Sequence, residues 1–213
     1  HTRYEVSNNA GQDICDIVNN EGFDFLLVGS GISMSDSPDD IAATRYRTSF
    51  YNRYFKRFKA PESWFYPGAL LKDKTKMFIA RSNCDVGVFI NRNFVKATNT
   101  LVVISSEEDL FLLDYTRTLL KATHGSVGIV AKMSTTTPGH DQILKELWDF
   151  VSSIPQTQLL PDKDLTPGLF NSYNFMLIGY NTWNDVSEHR KEALQKMPST
   201  LILNKNKRSS SDN

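Results

Sequence analysis

Apolar residues in this chain gather in short, nearly unbroken runs instead of alternating with polar ones. The runs are Phe23-Asp-Phe-Leu-Leu-Val28, Asp85-Val-Gly-Val-Phe-Ile90, Thr100-Leu-Val-Val-Ile104, Ser126-Val-Gly-Ile-Val-Ala131, Asn174-Phe-Met-Leu-Ile178 and Thr200-Leu-Ile-Leu203. Continuous apolar runs of strand length mark strands covered on both faces, as in a parallel sheet.

Between the runs the hydrophobic period becomes helical. Residues 107–123 set Leu110, Phe111, Leu113, Leu119 and Leu120 on one broad face. Ser106 stands at the N-cap with Asp109 three positions on, close to a capping box, and Gly125 lies just past the end, where a left-handed residue is favoured. Residues 139–153 carry Ile143, Leu144, Leu147, Phe150 and Val151 at helical spacing between Pro138 and Pro155. Residues 186–196 read as a further helix stopped near Pro198, and Asp13 to Asn20 as a short one. Strand and helix alternate from residue 100 to 204, which predicts an open, doubly wound α/β sheet with right-handed crossovers. Residues 10–91 read as helix, strand, long connection, helix and strand, the last part of a similar unit. Phe23–Val28 and Phe175–Ile178 each lead into a glycine, Gly29 and Gly179, which suggests one fold used twice. The expected organisation is therefore an incomplete first unit at 1–97, a second at 98–205 and a polar tail at 206–213.

Charge changes this picture in one place. The chain of 213 residues balances 24 basic against 24 acidic side chains, which argues against a surface made for nucleic acid. The insertion at about 41–76 departs from that balance. Arg45, Arg47, Arg53, Lys56, Arg57, Lys59, Lys72, Lys74 and Lys76 face only Glu62 and Asp73 there. Tyr46, Phe50, Tyr54 and Phe58 recur every four residues, joined by Tyr51 and Phe55, which predicts an amphipathic helix over about 41–59. Its rings either pack on the sheet or form a docking element. In the second reading Arg45, Arg47, Arg53, Lys56, Arg57 and Lys59 meet an anionic membrane surface or an acidic partner.

Candidate chemistry is sparse. Gly29-Ser30-Gly31 follows a strand, and such a turn either cradles phosphate or simply leaves the sheet. The third glycine of a dinucleotide fingerprint is missing, and no P-loop, nucleophile elbow or metalloprotease motif occurs. Cys15 and Cys84 are the only cysteines, without a CxxC, and the four histidines are scattered, so no metal site is expected. Cys84 beside Asp85 reads as a buried structural thiol, and Glu107, Glu108 and Asp109 as acids that offset a helix dipole. No constellation specifies a reaction, so the chain is expected not to be an enzyme. There is no sequon, no signal peptide and no apolar run of membrane-spanning length. The chain opens His1-Thr-Arg-Tyr without a methionine, which suggests a piece of a longer polypeptide.

Phe23-Asp-Phe-Leu-Leu-Val-Gly29, followed by Met77-Phe-Ile-Ala-Arg-Ser-Asn-Cys-Asp-Val-Gly-Val-Phe-Ile-Asn-Arg92, resembles the end of a universal-stress-protein-like domain. With its closing Asn-Arg, the version here is similar to the cytosolic tails of monovalent cation/proton antiporters of the plant cation/H+ exchanger and fungal K+/H+ antiporter type. Thr100-Leu-Val-Val-Ile-Ser-Ser-Glu-Glu-Asp-Leu, Gly125-Ser-Val-Gly-Ile-Val-Ala-Lys, Asn174-Phe-Met-Leu-Ile-Gly-Tyr and Ser199-Thr-Leu-Ile-Leu-Asn-Lys resemble strands of a second such domain. The resemblance implies two Rossmann-like units that regulate K+(Na+)/H+ exchange by docking, dimerisation or binding a small effector. It implies a transmembrane antiporter domain as partner, a homodimer, and a place on the cytosolic face of a membrane, in the fungal branch the Golgi or another endomembrane. The stress proteins that hold ATP or AMP carry G-x2-G-x9-G-S/T after the fourth strand and an Asp at the end of the first. Neither is present: Gly29 and Gly31 have other spacing, Gly179 is followed by Tyr-Asn-Thr-Trp, and Ser105 or Ser106 stands where the Asp would be. No cofactor is therefore expected, and Gly29, Ser30, Gly31 and Gly179 remain candidate contacts for a small ligand. A free-standing nucleotide-binding stress protein is the alternative.

Overall fold

A computed structural model describes residues 10–29, 74–133, 135–161, 165–189 and 196–206. The chain runs through α1 (Ala10–Glu21), β1 (Phe25–Gly29), α2 (Lys74–Arg81), β2 (Asp85–Ile90) and β3 (Asn99–Ile104). A single 3-10 turn (Glu107–Asp109) then leads into α3 (Leu112–Thr123), β4 (Ser126–Ala131), α4 (His140–Ser153) and β5 (Thr157–Pro161). The short α5 (Pro167–Phe170), β6 (Phe175–Gly179), α6 (Tyr180–His189) and β7 (Ser199–Asn204) complete it. The strands form one seven-stranded sheet in the order β1-β2-β7-β6-β3-β4-β5. Every neighbouring pair is parallel except β2 and β7, which are antiparallel. The expected α/β class and mostly parallel, doubly wound topology are what the molecule shows.

The unbroken apolar runs are explained by helices on both faces. Along β3, Leu101 and Val103 enter one core with Cys15, Phe78, Phe170, Trp183 and Val186 of the helices. Val102 and Ile104 enter the other, with Leu112, Leu120, Ile143, Leu147 and Phe150. Each such side chain, fully buried, contributes roughly 1.5–3 kcal/mol.

The antiparallel junction carries an internal symmetry. Val88 pairs with Ile202 at its centre. A half-turn about that pair lays β2 on β7. Leu27 pairs with Gly87 as Leu177 pairs with Leu201, so the same half-turn lays β1 on β6. It brings Phe25-Leu-Leu-Val-Gly29 onto Phe175-Met-Leu-Ile-Gly179, residue on residue.

Several local expectations are corrected. The helix expected over 107–123 is divided into the 3-10 turn and α3, while the expected capping box is formed, the Asp109 carboxylate accepting from the Ser106 N–H at 3.3 Å. The helix expected from 186 begins at Tyr180, directly on the end of β6. β5 and α5 lie where the hydrophobic pattern predicts no element. β5 has only two consecutive apolar residues, Leu159 and Leu160, and closes on Pro161, which an edge strand tolerates. α5 is set by Thr166, whose hydroxyl accepts from the Leu169 N–H at 3.2 Å, and by Pro167 in its first turn.

The left-handed residue after α3 is His124 (φ 52°), and not Gly125. Gly125 is small for another reason. A Cβ there would lie 2.3 Å from the Thr98 carbonyl oxygen, the group that accepts from the Ser126 N–H at 2.7 Å. Two opposite outcomes follow in urea unfolding. Gly125→Ala is expected to cost about 2 kcal/mol, as backbone must move. His124→Gly is expected to be neutral or to stabilise by up to about 1 kcal/mol, since glycine adopts that conformation without strain. Equal effects of the two would contradict this division of roles.

Candidate functional site

In an open α/β sheet a ligand crevice forms beyond the carboxyl ends of the strands where the chain switches direction. Here β3 leads to β4 on one side, while β6 lies on its other side. Beside this point, beyond the ends of β6 and β7 and against the turn after β3, is a cleft of about 230 Å³, whose lining includes Glu108, Asp109, Gly179, Tyr180, Asn181 and Lys205. Lys205 is the one cation among the described residues that line it, set against the carboxylates of Glu108 and Asp109.

The floor of the crevice is Asp109, only 2% exposed. One oxygen of its carboxylate, Oδ2, accepts from the Ser105 N–H at 2.8 Å, the Ser105 hydroxyl at 3.1 Å, the Ser106 N–H at 3.3 Å and the Thr182 hydroxyl at 2.6 Å. The Ser105 and Thr182 hydroxyls also touch each other across the crevice. A carboxylate can be kept in a buried place when such donors replace the water it has lost. Its other oxygen, Oδ1, lies 1.9 Å from where a Cβ on Gly179 would stand. Gly179 is thus glycine because Asp109 occupies that space. On the rim, the Asn181 side chain donates to Glu108 at 2.8 Å. The donors that turn toward the end of β3 are therefore engaged by a carboxylate of the chain itself.

The wall beside β7 is pinned at Asp85. Its two oxygens accept from the Tyr115 hydroxyl and from the Asn206 N–H, each at 2.8 Å. Burial first, and then the bond to Asp85, push the Tyr115 phenol far above its usual range. Burial, and then the charge of Asp85, also push the Cys84 thiol up. Cys84 is 4% exposed and stays a thiol, as expected of a structural cysteine.

Of the sequence candidates, Gly179 lies in this crevice and Gly29 does not. β1 and β6 run in opposite directions through the β2–β7 junction, so the two glycines lie at opposite ends of the sheet. A Cβ at Gly29 would meet nothing within 4 Å. Ser30, Gly31, Arg45, Arg47, Arg53, Lys56, Arg57 and Lys59 lie outside the described residues. The sequence pairs Asp109 with Ser106 in a capping box, which forms, but it also groups Asp109 with the exposed Glu107 and Glu108 and gives no sign that it is buried. The spacing from Ser105 and Ser106 was a signal for the cap alone, since its partner Thr182 is 73 residues away. Among the described residues, no group of histidine, cysteine and acidic side chains could hold a metal ion.

The fold is similar to that of a universal stress protein from Archaeoglobus fulgidus, with a TM-score of 0.51 and 12% identity over 92% of this chain and 66% of that one. It is also similar to a Pseudomonas aeruginosa protein whose name assigns it to the universal stress proteins, with a TM-score of 0.50 and 11% identity over 94% of this chain and 70% of that one. The chain spans about two thirds of the length of these proteins. No family model matches it. No curated protein matches it either. At such identities the likeness concerns the fold, which is universal-stress-protein-like.

Proposed function

We propose that the chain is a non-catalytic regulatory module of a monovalent cation/proton antiporter, acting from the cytosolic face of a membrane such as the Golgi or another endomembrane. The observation that carries the non-catalytic, non-nucleotide part is Asp109. A carboxylate of the chain uses the donors at the switch point, and a second carboxylate, Glu108, stands at the rim. Phosphate would meet two carboxylates there, with Lys205 as the one cation of the lining. The antiporter part is supported by the resemblance of Phe23–Gly29, Met77–Arg92 and the later strands to such tails. In this reading the partner is a transmembrane antiporter domain of the same polypeptide, and the module biases transport by docking, self-association or a small non-anionic effector in the crevice. Regulation then requires a difference in contact free energy between transporter states. Among the described residues no helix is long and apolar enough to cross a membrane.

The test is to delete residues 100–204 from the full-length polypeptide and measure cation/proton exchange in vesicles. An altered rate or pH response at equal abundance is the expected result. Unaltered exchange would contradict the regulatory role. The second reading, a free-standing nucleotide-binding stress protein, is favoured by the names of the proteins that share the fold, and ATP binding separates the two.

A further inference from the structure

The crevice beside Gly179 carries both signs of charge. Asp109 at its floor is 2% exposed, yet every bond it accepts ends on Oδ2. Among the described residues no donor reaches Oδ1, the oxygen that faces Gly179. A buried carboxylate oxygen without a donor is costly to keep. Asp109 lines the cleft, so a molecule entering from outside can supply that donor. Lys205 stands on the other wall. It is exposed, and among the described residues it forms no ion pair. Its backbone is held by the residue after it, since the Asn206 N–H donates to Asp85 and the Asn206 side chain to the Ser82 carbonyl, each at 2.8 Å. Leu203 pairs with Gly179, and Lys205 follows it by two residues. Strand alternation carried past the end of β7 thus puts the lysine on the Leu203 side, where both line the cleft. The volume of about 230 Å³ lies below the roughly 300–1,000 Å³ of pockets for drug-sized ligands, which calls for a smaller molecule.

We propose that the crevice binds a free α-amino acid with an apolar side chain. Its ammonium donates to Asp109 Oδ1 and lies beside Glu108 at the rim. Its carboxylate meets Lys205. Its side chain rests on Phe111, Tyr180 and Leu203, which supply the apolar part of the lining. Both polar contacts are charge-assisted, the stronger kind of hydrogen bond. A ligand with one sign of charge fits less well. A bare cation satisfies the carboxylates but stands near Lys205, a like charge. A simple carboxylate or phosphate suits Lys205 but meets Asp109 and Glu108. A zwitterion presents the opposite charge to each wall and is neutral overall. The assignment rests on the reading of this crevice as a site for a small non-anionic effector, and not on the antiporter.

The experiment titrates L-leucine into the intact chain and follows the amide signals of Gly179, Tyr180 and Asn181. Two truncated probes are titrated beside it: 3-methylbutylamine, which keeps the ammonium, and 4-methylpentanoate, which keeps the carboxylate. The expected result is a saturable shift with leucine and binding about tenfold weaker or more for each truncated probe, since each lacks one charge-assisted bond. Lys205→Gln, at an exposed position, should keep the melting temperature, weaken leucine about tenfold and not weaken the amine. Three results would overturn the proposal: no saturable shift with leucine up to roughly 10 mM, equal binding of leucine and either truncated probe, or leucine binding that Lys205→Gln leaves intact. ATP titrated in parallel separates this failure from that of the reading beneath it. A saturable ATP shift at the same amides overturns both, whereas silence with leucine and ATP alike overturns the amino acid alone.

Discussion

Asp109→Ala is expected to lower the unfolding free energy by about 3–4 kcal/mol, read as a shift of the urea midpoint at constant slope. The carboxylate is buried and takes all of the bonds from Ser105, Ser106 and Thr182 described above. Removing it leaves two backbone N–H groups and two hydroxyls competing for whatever water can enter. A buried donor left without a partner costs about 1–3 kcal/mol, so even partial hydration leaves a large loss. That loss is a sizeable share of the roughly 5–15 kcal/mol by which domains are stable. Asp109→Asn should cost less, because the amide keeps one acceptor oxygen. An Asp109→Ala chain as stable as the parent would show that the carboxylate does not hold the crevice together.

Gly179→Ala comes next in size, at about 3 kcal/mol, toward the upper end of what overpacking costs. The added methyl would meet Asp109 Oδ1 at 1.9 Å and its Cγ at 3.1 Å. The acid cannot withdraw without breaking its own bonds, and Gly179 sits between β6 and the first turn of α6, so the backbone has little room to shift. The diagnostic result is the double variant. On an Asp109→Ala background, Gly179→Ala should cost less than about 1 kcal/mol, since the atoms it would strike are gone. Additive losses would place the strain elsewhere.

The central strands were legible because their burial is symmetrical. β2, β3, β4 and β6 are apolar on both faces, and a continuous run such as Leu101-Val-Val-Ile104 has few other uses. β5 was not legible, since Thr157-Gln-Leu-Leu-Pro161 lies at the sheet edge and needs apolar residues at only two positions. The start of α6 was hidden for a related reason. Tyr180-Asn-Thr-Trp183 carries no charged first turn, and it becomes helical because Thr182, Trp183 and Val186 are buried against the sheet. Tertiary packing decides there, over local propensity. The site was the least legible part. Gly179 was noticed for its place after a strand, but its reason is Asp109, which lies 70 residues earlier in the chain. The pairing of Gly29 with Gly179 was visible as a repeated motif. That only one of them faces a filled crevice depends on the register of a sheet that sequence alone does not fix.

The most direct test is to titrate ATP into the intact chain while following the amide signals of Gly179, Tyr180 and Asn181. On the reading proposed above, no saturable shift is expected up to roughly 1 mM. A saturable shift at these residues with a micromolar Kd would contradict a crevice closed by its own carboxylate.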